Sequence, residues 1–262
     1  MKEIPILLYK NIGNYPENMM EDGMLLETFE KQMKYVSENG YTIVTLSQAL
    51  DHLNRKVKLS YKTMAITIDG GYQDAFVNVF PVLKRYRFPA TFFIPPEYIG
   101  KQRKIKGDPI KCLNWDEVRE IKQNGMEIGL LAYHGKSIRI HYDEHSIKES
   151  IASAIKIMDQ ELDDQIKYCA FKEGIPQKSL WHFLKSMDFH AVFTQCPTNR
   201  RVSVDGIGRI QIDDDDHNIF LTKISKTYLF FKDKRAWKYL RKYKIDRLAH
   251  WISEAWNRVK GE

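Results

Sequence analysis

Cysteine is scarce in this 262-residue chain: Cys112, Cys169 and Cys196 are three in number and far apart. Their odd number and wide spacing indicate neither a disulfide framework nor a zinc ribbon. No run approaches the ~20 consecutive apolar residues of a membrane-spanning helix. After Met1-Lys2-Glu3 only about five apolar residues precede Lys10, short of the roughly 7–15 of a secretory h-region. The sequence therefore reads as a cytoplasmic protein, peripheral to a membrane at most, or as one with a trimmed start. A Gly-x-Ser-x-Gly elbow and a Cys beside a plausible His are both lacking, which leaves nucleophilic catalysis without a candidate. Gly70-Gly71 has no Gly-Lys-Ser/Thr sequel, so a phosphate-cradling loop is not indicated.

What is present is the material of a folded domain. A hydrophobic fraction of 43% with 12% aromatics excludes disorder, and a chain this long buries an adequate core without staples. The formal net charge of +7 invites a nucleic-acid reading, but residues 223–262 hold 12 Lys/Arg against 4 Asp/Glu. The remaining 222 residues then carry 29 against 30 and are close to neutral. A basic groove over the fold, and with it a nucleic-acid partner, is not supported.

The chain alternates short apolar runs with amphipathic segments. Strands are predicted at 4–9, 41–45, 64–69, 90–94, 127–131, 166–171, 191–194 and 209–212. Helices are predicted at 26–39, from an N-cap at Ser47 to Leu53, at 75–86, 115–124, from a cap at Ser146 to Leu162, and at 179–187. Strands separated by helices imply right-handed crossovers and a parallel sheet. Some seven or eight units favour closure into a barrel, whose chemistry sits at the carboxyl ends of the strands.

Those ends carry a recognisable series. The run Ala65-Ile66-Thr67-Ile68-Asp69-Gly70-Gly71-Tyr72 resembles the Thr-Phe-Asp-Asp-Gly signature of the polysaccharide deacetylases, the NodB-homology enzymes of carbohydrate esterase family four. Ile6-Leu7-Leu8-Tyr9-Lys10 resembles their opening Met-Tyr-His strand, and Phe88-Pro89-Ala90-Thr91-Phe92-Phe93-Ile94 their Pro-Ala-Thr-Phe-Phe strand. Gly125-Met126-Glu127-Ile128-Gly129 is similar to the lead-in to the metal-binding His segment, and Arg209-Ile210 to a late Arg-Ile pair. The resemblance covers residues 4–222. It implies an α/β fold, a distorted (β/α) barrel of the NodB-homology type over residues 1–222, followed by a basic helical segment over 223–262.

The resemblance also implies a mechanism: a divalent ion held by an Asp and two His, a second Asp as base and a His as acid. This sequence departs from that set. The base is kept as Asp69, the metal-ligand Asp is Gly70, and the two ligand His fall on Leu131 and Gly135. His134 is one residue off. The early site His is Lys10, and the Tyr-Pro-Tyr-Gly-like turn reads Phe171-Lys172-Glu173-Gly174. Leu and Gly offer no donor atoms, so no metal site is expected, the zinc or other divalent ion being lost, and Lys10 is expected to pair with Asp69 in its place. Asp69 stands as the candidate catalytic residue, with Tyr9, Lys10, Tyr72, Asp74, His134 and Glu173 as candidate glycan contacts.

Several features have plainer readings. His141 and His145 are four apart but flank a helix start, and Asp213-Asp214-Asp215-Asp216 reads as a solvated acidic turn rather than a cation site. Residues 230–259 place Phe230, Phe231, Trp237, Leu240, Leu248, Trp251 and Ile252 at roughly helical spacing among basic residues. Such a helix packs on the barrel, lies on an anionic membrane surface or docks on a protein partner. Three functions follow: a glycan-binding or accessory protein that has lost the metal chemistry; an active carbohydrate N-deacetylase working through Asp69 with Lys10, His134 or Glu173; and a scaffold whose tail is the working element.

Overall fold

The computed structural model describes residues 4–13, 23–105, 108–132, 144–171, 178–195, 206–214 and 216–225. The expectations for His134, His141, Glu173 and the basic segment 230–259 lie outside these residues.

Parallel strands form the frame. They are Ile6–Tyr9 (β1), Thr42–Ile43 (β4), Thr63–Asp69 (β5), Thr91–Ile94 (β6), Glu127–Ala132 (β9), Tyr168–Phe171 (β10), Ala191–Thr194 (β11), Ile207–Gly208 (β12) and Ile210–Gln211 (β13). Two short strands, Asn11–Ile12 (β2) and Gly23–Met24 (β3), pair beside β1, and a hairpin of Gln102–Ile105 (β7) and Asp108–Lys111 (β8) follows β6. The nine-stranded sheet runs β12-β11-β10-β9-β6-β5-β1-β13, with β4 against the start of β5. The chain from Ile207 to Gln211 joins the two edges. Its first half pairs with β11 and its second with β1, so Arg209 sits where one strand changes partners and the barrel draws shut.

Strand alternation sorts the side chains into two cores. Ala65, Phe93, Leu131, Ala170, Phe193 and Ile207 fill the barrel interior. Ile66, Ile68, Phe92, Leu130, Cys169 and Val192 point outward beneath the helices. Close packing inside explains Gly129: a Cβ there would lie 2.5 Å from the Phe93 ring and 3.1 Å from the Tyr168 carbonyl oxygen. The helices are Leu26–Glu38 (α1), Leu46–Leu53 (α2), Phe80–Tyr86 (α3, entered through a π-helical turn at Ala75–Val79), Trp115–Gln123 (α4), Glu144–Leu162 (α5), Lys178–Ser186 (α6) and His217–Ile224 (α7). Leu46, Ala49 and Leu50 of α2 join the interior core, so α2 plugs the amino end of the barrel. Glu127 holds it there, accepting from the Leu46 backbone N–H at 2.9 Å and from the Thr91 hydroxyl at 2.6 Å.

The (β/α) barrel expected from the sequence is the fold observed. Some boundaries differ. Thr45, not Ser47, caps α2, because Thr45 and Gln48 exchange both bonds of a capping box. Helix α5 begins at Glu144 rather than Ser146, which leaves His145 exposed on it, 3.1 Å from Glu149. The β7–β8 hairpin was not expected, since its lysines hide any period-2 pattern. Nor was α7, which starts on the acidic run: Asp216 caps it by accepting from the Asn218 N–H at 2.8 Å, and Asp213 accepts from Gln211 at 2.6 Å. Phe220, Leu221 and Ile224 pack into the outer core, so α7 spans the expected boundary at 222–223.

Candidate functional site

The carboxyl end of β5 carries Asp69, and its carboxylate meets the guanidinium of Arg209 edge to edge. Nη1 donates to Oδ1 at 2.6 Å and Nη2 to Oδ2 at 2.7 Å. The two side chains are 5% and 0% exposed, so solvent barely screens the pair. Nη1 also donates to the Thr67 hydroxyl at 3.2 Å, and that hydroxyl donates to the Leu7 carbonyl at 2.7 Å. The Phe93 ring lies 5.1 Å from the guanidinium carbon. Alternation builds this arrangement: Thr67 and Asp69 follow Ala65 on the inner face of β5, and Arg209 follows Ile207 on the inner face of the closing strand.

Beyond Asp69 the backbone turns through Gly70 (φ 127°) and Gly71 (φ 66°). A Cβ at Gly70 would meet the Tyr72 ring at 2.7 Å, and one at Gly71 would meet the Pro95 ring at 2.8 Å. The turn is thus built for residues without side chains. Tyr72 bridges to Cys112 at the base of the β7–β8 hairpin, and Arg103 of that hairpin lies between the rings of Tyr72 (5.2 Å) and Tyr98 (4.3 Å). The hairpin therefore rises directly over the Asp69 turn.

The expected site residues separate on this frame. Asp69 and Tyr72 are at the mouth. Lys10, half-buried at the end of β1, is not the cation that pairs with Asp69; Arg209 takes both carboxylate oxygens from the inner face of the closing strand. Tyr9 turns away from the mouth into the outer core, edge-on to Phe29 and donating to Gln32 at 3.0 Å, as its odd position beside inward Leu8 requires. Asp74 is turned to the backbone instead, accepting from the Ile12 N–H at 2.7 Å, and Asn78 clamps the Ile12 carbonyl at 2.7 Å. Leu131, at a position that the resemblance gives to a metal-ligand His, is buried among the interior apolar residues. Arg209, Thr67 and Arg103 were missed as site residues. The late Arg-Ile pair was the available signal, since an arginine in an apolar strand needs a buried partner.

Titration behaviour follows burial. Loss of hydration pushes the thiols of Cys112 and Cys169 up, so neither is a ready thiolate. At the opposite, amino end of the barrel, burial pushes the Tyr168 phenol up to about 12, helped by the Glu127 carboxylate.

The sequence profile of the family described as "Polysaccharide deacetylase" matches residues 56–192. That is more than half of the chain, and with the barrel and the Asp69 strand it makes this chain a member of the polysaccharide deacetylase family. The "Putative polysaccharide deacetylase YxkH" of Bacillus subtilis (strain 168) is 31% identical over 126 residues, covering 48% of this chain and 41% of that one. The "Poly-beta-1,6-N-acetyl-D-glucosamine N-deacetylase" of Staphylococcus aureus (strain MSSA476) is 23% identical over 174 residues, covering 63% of this chain and 56% of that one. The chain thus spans between about two-fifths and just over half of the length of these curated relatives. Among solved structures, a de-N-acetylase from Aggregatibacter actinomycetemcomitans superposes with a TM-score of 0.70 at 16% identity, covering 84% of this chain and 99% of that one, a likeness of fold.

Proposed function

We propose that this protein keeps the glycan cleft of its family but not the metal chemistry, and acts as a glycan-binding or accessory protein in polysaccharide metabolism. The observation that carries the reading is the Asp69–Arg209 pair: both oxygens of the one carboxylate kept from the resemblance already accept short bonds from a buried guanidinium. A divalent ion does not fit the donors around it. Gly70 and Leu131 have no side-chain donor atoms, the backbone at Gly70 has no room for a carboxylate-bearing side chain, and Arg209 adds a positive charge where an ion would need negative ones. Among the described residues no three His, Cys, Asp or Glu side chains gather. Arg209 serves as an internal cation that keeps the strand ends in place.

The saccharide nature of the ligand rests on the family and on the name of the Staphylococcus aureus relative, which acts on poly-β-1,6-N-acetylglucosamine. Zinc and cobalt titration of the full chain, with elemental analysis of the purified protein, tests the reading. The expected result is no stoichiometric metal and no acetate released from N-acetylated oligosaccharides. One tightly bound ion at the strand ends, or acetate release that disappears in Asp69→Asn, would overturn it.

A further inference from the structure

Two buried N–H donors at the mouth, Nε of Arg209 and Nε2 of Gln195, meet no acceptor among the described residues. Register places them together. Phe193 pairs with Ile207 and Thr194 with Gly208, so the next step sets Gln195 beside Arg209. Phe193 and Ile207 point into the barrel, and the residues two further along share that face, on strands about 4.8 Å apart. Asp69 occupies the Nη1–Nη2 edge of the guanidinium and Thr67 a further Nη1 hydrogen, and neither reaches the Nε–H. Two orphan donors on neighbouring inward positions are unfavourable as they stand and ask for a group that only accepts.

The lip of the same mouth is cationic. Its described residues, 101–105 and 108–111, include Lys101, Arg103, Lys104 and Lys111 against Asp108 alone. The base of this hairpin is tied to the Asp69 turn, Leu113 donating to the Gly71 carbonyl at 2.9 Å and Gln73 to that of Lys111 at 3.0 Å. Pairing of Gln102 with Lys111 and of Lys104 with Pro109 puts Lys104 and Lys111 on one face, opposite the Arg103 face that rests on Tyr72 and Tyr98. Both lysines are exposed.

We propose that the mouth selects an anionic saccharide, seating a carboxylate or phosphate oxygen between Nε of Arg209 and Nε2 of Gln195 while further charges of the glycan meet the Lys104–Lys111 face. An oxyanion accepts from both donors in bonds strengthened by charge, whereas a neutral sugar hydroxyl accepting from both makes weaker bonds and brings a proton that needs an acceptor of its own. The inference rests on the glycan-binding reading above, and its test separates the two. Calorimetric titration of the full chain compares three probes: a hyaluronan tetrasaccharide (carboxylate), 6-phosphorylated chitotetraose (phosphate) and plain chitotetraose (neutral).

One of the charged probes is expected to bind at least tenfold more tightly than chitotetraose, and which one does so identifies the anion. Gln195→Glu, which puts a carboxylate beside the incoming one, is expected to abolish that preference, whereas Lys104→Glu with Lys111→Glu lowers it at low salt and little at high salt, where exposed charges are screened. Chitotetraose binding as tightly as the charged probes overturns the anion proposal and leaves the glycan reading standing; binding of none of the three overturns both. An unchanged preference in a Gln195→Glu protein that still melts cooperatively overturns the placement.

Discussion

Removing Arg209 tests most directly whether Asp69 is locked or poised. Arg209→Met keeps much of the stem's bulk and deletes the charge, leaving the Asp69 carboxylate buried with its two bonds of 2.6 and 2.7 Å broken. Truncating one partner of a buried pair costs about 3–5 kcal/mol, chiefly because the survivor is neither solvated nor paired. Against a total stability of about 5–15 kcal/mol, that is a drop in Tm of about 6–20 °C for a domain of this size. Asp69→Leu strands the guanidinium and is expected to cost a similar amount. Combined, the two substitutions should cost less than their sum, by about 2–3 kcal/mol, because the second removes the group that the first left unpaired. Urea unfolding followed by far-ultraviolet circular dichroism gives each value, provided the m-value holds constant. Raising the salt should change the coupling little, as burial excludes screening ions. Single costs below about 1 kcal/mol, or additivity within about 0.5 kcal/mol, would refute the lock. Asp69→Asn that keeps full stability yet abolishes acetate release would show a poised base instead.

Two further predictions concern the turn and the barrel floor. Gly70→Asp, which restores the family's acidic residue, is expected to lose about 2–5 kcal/mol, from a left-handed backbone (φ 127°) and a Cβ 2.7 Å from the Tyr72 ring. It should gain no zinc affinity by calorimetry; a stable variant that binds zinc would show that this turn still fits a metal site. Tyr168 ionises at about 12 in the folded chain because burial disfavours its phenolate, whereas the unfolded chain ionises near the ordinary value of 10. A raised folded pKa contributes stability that is complete below pH 10 and is lost as the pH climbs toward 12. Thermal melts of the parent should therefore fall more steeply over that window than those of Tyr168→Phe, and parallel slopes would contradict the assignment.

Local sequence carried the strands and helices that have a strong period. The all-buried Thr63–Asp69 run and the amphipathic Leu26–Glu38 segment need only apolar spacing to declare themselves. Gly70-Gly71 stood at the end of the Asp69 strand, and the series of short motifs was sufficient for the barrel and the family. The β7–β8 hairpin and α7 escaped, because lysines and aspartates there serve as lip and cap rather than as part of an apolar pattern. Tyr9 shows the finer limit: one step along a strand moves a side chain from mouth to outer core, and the motif alone does not say which face is which.

The scarcity of cysteine, the neutral body, the Gly70-Gly71 turn and the absence of donor atoms at Gly70 and Leu131 were settled by residue identity, since no fold can supply a ligand atom that a side chain lacks. Which cation meets Asp69 was not settled that way. Lys10 is near it through the β1–β5 pairing, yet Arg209, 140 residues away in sequence, takes both oxygens. Only closure of the barrel brings Arg209 onto the inner face opposite β5, and inside a desolvated core a two-pronged guanidinium satisfies a carboxylate more fully than a single ammonium.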